Sequence, residues 1–178
     1  MRTIGTSTDS ATASLYLGFA QKGRKRFTNA RNLLRSFATS NAPAPYPTAH
    51  FEAWTTLAEL DKAAEEPFFE REAIHAALQL DPDGHNSSQL WVRLGELQLS
   101  SGHSGFLLPL RSYAEALCRA PKQYTEIFQR FEEIGEEAVA VEGRDLELIY
   151  QDLIRERRST PSIPLDSYSL LHLSLIHI

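Results

Sequence analysis

The chain has 178 residues, 42% hydrophobic and 23% charged, which suits a folded domain with a modest core. Its formal net charge of −5 is unevenly spread: residues 1–49 carry seven basic side chains and one acid, Asp9, leaving 11 basic and 22 acidic residues beyond them. An acidic main part repels phosphate backbones, so no nucleic acid partner is expected. The single cysteine, Cys118, excludes an intramolecular disulfide and a multi-cysteine zinc site, and no apolar run reaches the ~18 residues of a membrane span.

Residues 1–49 read as a disordered basic leader ending in a Pro-rich linker, Asn41-Ala-Pro-Ala-Pro-Tyr-Pro47. The leader is hydroxylated, basic and nearly free of acids, the composition of a mitochondrial transit peptide. Arg35-Ser-Phe37-Ala38 resembles the cleavage pattern of such peptides. A helix over about 24–37 would be only roughly amphipathic. The alternatives are a leader on a cytoplasmic protein, or codons read upstream of the true start.

From residue 50 the pattern becomes helical. Phe51, Trp54, Leu57, Ala58 and Leu60 repeat at the 3.6-residue period and predict a helix over 50–64. Pro67 opens a second helix, where a missing N–H costs nothing, with Phe68, Phe69, Ala73, Ile74, Ala77 and Leu78. Asp81-Pro-Asp-Gly84 is a turn signal, and Asn86-Ser-Ser-Gln89 has capping-box spacing. Further helices are expected over about 87–100, 106–119, 122–139 and 144–157, the third of these broken at Glu142-Gly143. Residues 50–158 thus read as one helical domain and 159–178 as an unstructured tail. Leu173-Ser-Leu-Ile-His-Ile178 looks like a translated sequencing-library adapter, so the natural gene is expected to continue past about residue 172.

Two segments echo each other: Trp54-Thr-Thr-Leu57-Ala58 and Trp91-Val-Arg-Leu94-Gly95. In the helix after each come Ile74, Ala77 and then Pro82, or Tyr113, Ala116 and then Pro121. Over about residues 51–121 this pattern resembles the tetratricopeptide repeat family, in two divergent copies. Asp61 and Gln98 stand where the family usually has tyrosine, and Glu70 and Pro109 where it usually has a small residue. The resemblance implies an all-α fold of antiparallel helical hairpins stacked as a short right-handed superhelix. A small residue at Ala58 or Gly95 lets the two helices of a hairpin approach closely, and the tryptophans fill the space between hairpins.

The resemblance also implies a function: a scaffold or adaptor that binds a peptide or helix of a protein partner on the concave face. By repeat position that face comprises Glu52, Thr55, Glu59 and Lys62 of the first repeat and Gln89, Val92, Glu96 and Leu99 of the second. Its acidity favours a partner of basic or mixed charge. The family's carboxylate-clamping Lys and Asn are absent here, so chaperone-tail binding is not expected. The alternative is the repeat-bearing front of an enzyme, such as a transferase, whose catalytic domain lies beyond residue 172.

The sequence offers no catalytic, cofactor-binding or metal-binding set. His75, His85 and His103 lack a partner at metal-ligand spacing. Gly102-His-Ser-Gly105 follows no strand, so it is not a nucleophile elbow. Glu132-Glu133 and Glu136-Glu137 read as a solvated helix face. The expected location is cytoplasmic, or mitochondrial if residues 1–37 are a transit peptide.

Overall fold

The computed structural model describes residues 5–81, 84, 87–101, 105–119, 124–143, 148, 151 and 155. Among them the chain is all-helical, with seven helices and no strand. These are α1 (Gly5–Gly23), α2 (Phe27–Ala38), α3 (Ala49–Ala63), α4 (Pro67–Leu80), α5 (Ser87–Ser101), α6 (Leu107–Arg119) and α7 (Tyr124–Glu142). Helices adjacent in sequence pack in pairs, α1 on α2, α3 on α4 and α5 on α6, with α2 also on α3 and α6 on α7. The chain divides into two compact units, Met1–Pro82 and Asp83–Ile178. The turns at Pro82 and Pro121, the Asn86 cap, His85, His103, most of the helix expected over 144–157 and the 159–178 tail lie outside the described residues.

The expectation of a disordered leader is corrected over residues 5–38, which form the hairpin α1–α2. Leu15, Ala30, Leu34 and Phe37 are fully buried. The physical reason is a close crossing: a Cβ added at Gly18 would lie 2.7 Å from Cγ and Cδ2 of Leu34. A pair of helices this close needs few large apolar residues, so composition alone does not reveal it. Residues 39–48 carry neither helix nor strand, in keeping with the linker expected over 41–48. They are nonetheless tied down. Ser40 Oγ donates to the Phe37 carbonyl at 2.6 Å, His50 Nε2 lies 3.3 Å from the Ala42 carbonyl oxygen, and the Phe37 and His50 rings stack at 4.5 Å.

Hairpin α3–α4 repeats α1–α2 forty residues on. Both turns place a non-glycine residue in the left-handed region, Lys25 at φ 57° and Glu65 at φ 56°. Their hydrogen bonds match one for one. Arg24, Lys25 and Arg26 donate to the carbonyls of Ala20, Lys22 and Gln21, and Ala64, Glu65 and Glu66 donate to those of Leu60, Lys62 and Asp61. Ala58 takes the place of Gly18, and Ile74 that of Leu34.

In the second unit, Leu110, Tyr113, Ala114, Ala116 and Leu117 of α6 join Ile127, Phe131, Ile134 and Ala138 of α7 in one core. Gly95 allows α5 to meet α6: a Cβ there would lie 2.6 Å from Tyr113 Cε2. The helix after Gly95 begins at Leu107, so Pro109 sits in its first turn without cost. Trp91 packs against the α6–α7 core without being fully enclosed by it. Trp54 and Trp91 are half-buried, while Tyr113 and Phe37 are the largest fully buried side chains among the described residues.

Candidate partner-binding faces

Glu52, Thr55, Glu59 and Lys62 lie along one face of α3, as the helical period requires. Three of them are exposed and Thr55 is half-buried. Two of the acids already have partners within the chain. Glu52 accepts the Tyr46 phenol at 2.9 Å and the Thr48 hydroxyl at 2.7 Å, which fastens the linker to the start of α3. Burial and that carboxylate push the Tyr46 phenol up to about 12. Glu59 meets Lys22 Nζ of α1 at 2.5 Å.

The second row is placed differently. Gln89 and Glu96 of α5 are exposed, and Glu96 pairs with Arg93 at 2.7 Å. Val92 and Leu99 are half-buried and pack against the α6–α7 core. The α3 row belongs to the first unit and the α5 row to the second.

The densest charged cluster in the first unit went unanticipated. Asp61 of α3 is fully buried. Arg31 Nε lies 2.6 Å from its Oδ1 and Arg35 Nη2 lies 3.1 Å from its Oδ2, both from α2. Arg31 also holds Glu66 through both terminal nitrogens, with Nη1 donating to Oε1 at 3.0 Å. The Arg35 guanidinium rests over the Phe69 ring at 4.6 Å. Burial pushes the Asp61 carboxyl up, partly offset by the two guanidiniums. The Arg31 hydrogen bond pulls Glu66 down, and that same bond raises Arg31. A carboxylate is tolerated at this buried position because α2 sets two arginines against it. The sequence signal was the Arg31/Arg35 spacing of four, which puts both on one helix face.

The second unit has its own buried pair. Arg119 Nη1 meets Glu115 Oε2 at 2.6 Å, both side chains 6% exposed, and the Arg119 guanidinium lies 5.8 Å from the Trp91 ring centroid. Trp91 Nε1 is buried with no hydrogen-bond partner. At the position matching Asp61, Gln98 Oε1 accepts the Ser112 hydroxyl at 2.9 Å.

Of the side chains weighed for chemistry, His75 is exposed on α4, Cys118 is half-buried on α6, and Glu133 is engaged by Arg130 at 2.8 Å. Among the described residues no group of three or more His, Cys, Asp or Glu is placed to hold a metal ion. No described helix is long and apolar enough to cross a membrane. No family model matches the chain, and neither does any curated protein.

Proposed function

We propose that this chain is a tetratricopeptide-like scaffold that binds a protein partner on the exposed face of α3. The observation that supports this reading is the row Glu52, Thr55, Glu59 and Lys62, which runs along one face of a helix held by its neighbours on other sides. Pairing between Lys22 and Glu59 adds a mechanism: a basic side chain of the partner takes Glu59 from Lys22. An exposed pair of this kind contributes little, so exchange is easy.

The test uses a labelled extended peptide rich in Lys and Arg, titrated by fluorescence anisotropy. Glu59→Lys is expected to weaken binding about tenfold and Lys22→Ala to tighten it, with helicity unchanged in both. Equal affinity of all three proteins would discard the α3 face as the binding site.

The hairpin α1–α2 supports an uncleaved, cytoplasmic chain over an organellar one. Removal of residues 1–37 would strip Asp61 of both arginines and take away Phe37, which is fully buried.

A further inference from the structure

Two equivalent faces in the first unit differ in one respect. On α3, Ala53, Leu57 and Asp61 are fully buried, Leu60 is 4% exposed and Thr56 is 9% exposed. Asp61 in this stripe is held by Arg31 and Arg35, so the stripe is the one that α2 covers. Forty residues earlier the same five positions on α1 are Ala13, Tyr16, Leu17, Ala20 and Gln21. Here Tyr16 is 54% and Leu17 51% exposed, and Ala13 and Ala20 are exposed as well. Gln21 is half-buried and its Oε1 is buried without a hydrogen-bond partner, at the position where Asp61 Oδ2 accepts from Arg35 and Oδ1 is ion-paired with Arg31.

From this equivalence we infer that the outer face of α1 is a docking site for an amphipathic helix of a partner protein. That helix lies on α1 as α2 lies on α3. It brings an apolar stripe to Ala13, Tyr16, Leu17 and Ala20. Gln21 is neutral where Asp61 is charged, so the arginine pair of α2 is not what this face selects. The neighbouring charges point the same way. Arg24, Lys25 and Arg26 are exposed at the C-terminal end of α1, and Lys22 is paired with Glu59. The occupant is therefore a helix with an acidic flank at that end. The inference rests on the α1 stripe and not on the α3 row, and it stands if binding on that row fails.

The chain itself supplies the probe. A labelled peptide of residues 26–40 carries Arg26→Glu, Arg31→Gln and Arg35→Gln; a second peptide keeps the native sequence. The full chain is expected to bind the altered peptide saturably and more tightly than the native one. Leu17→Glu, at an exposed position, is expected to weaken that binding at least about tenfold with unchanged melting. An equal or stronger grip on the native peptide would overturn the inference, as would insensitivity to Leu17→Glu. Sedimentation of the chain alone completes the test. A dimer that Leu17→Glu dissolves would assign the face to a second copy and overturn the partner reading.

Discussion

The two units hold helices together by different means. In the first, seven of the fourteen buried apolar residues among those described are alanines, and the α2–α3 interface carries a buried aspartate with two arginines. In the second, α6 and α7 meet through Tyr113, Leu117, Ile127, Phe131 and Ile134. Alanine-rich contacts bring backbones close but remove little apolar area from water, so specificity there falls to charge. Larger side chains supply both area and shape in the second unit. Similar helical hairpins are thus fixed by an ionic lock in one place and by packed rings in another.

This contrast breaks most sharply at Asp61. Asp61→Ala leaves two part-buried guanidiniums without their carboxylate and is expected to cost about 3–5 kcal/mol. Protease cleavage within residues 39–48 should accelerate in step. The triple variant Arg31→Met, Asp61→Leu, Arg35→Met is expected to recover most of that loss in urea unfolding. A triple variant as unstable as Asp61→Ala would show that the ions stabilise the fold rather than select it.

The counterpart is Phe131→Ala, expected to cost about 3–5 kcal/mol through the cavity it leaves. Its effect should not change with salt, whereas the contribution of the exposed Lys22–Glu59 pair should shrink as salt rises. Gly95→Ala comes next, at about 1–3 kcal/mol, because its Cβ would press on a buried tyrosine ring that cannot give way. Trp91→Ala should cost about 2 kcal/mol, less than a core position, since the ring is half-buried.

The smallest effect concerns pH. Glu66 has a depressed folded pKa, so its contribution is present above its ordinary value and lost as pH falls through the folded one. Asp61 is raised, so its contribution has the opposite sign: it is present at low pH and lost as pH rises through the folded value. Glu66→Gln should therefore flatten the acid limb of the first unit's unfolding curve below about pH 5. An acid limb unchanged by that substitution would mean that Arg31 does not engage Glu66 in solution.

Helices α3 to α7 were legible because large apolar residues recur at the helical period, as in Phe51, Trp54, Leu57 and Leu60. The hairpin α1–α2 was not. A basic amphipathic helix reads the same whether it is a targeting signal or a packed element. The acids that distinguish the two cases lie 26 to 37 residues away, at Asp61, Glu66 and Glu59. The small residue at Gly18 was a usable clue, since it sits forty positions before Ala58. The candidate faces were half legible. Periodicity placed Glu52, Thr55, Glu59 and Lys62 on one side of a helix, but it gave no sign that Val92 and Leu99 would pack against α6–α7.

The matched turns at Lys25 and Glu65 also make the first unit a construction set with a fixed step. The segment from Phe27 to Glu66 begins after one turn and ends with the next. It contains α2, the tied linker, α3 and all the members of the lock between them. Cutting and splicing at these points preserves the phase of both helices. A tandem copy of this segment is therefore expected to insert with its own Asp61 and arginine pair in register, lengthening the unit by one step of forty residues.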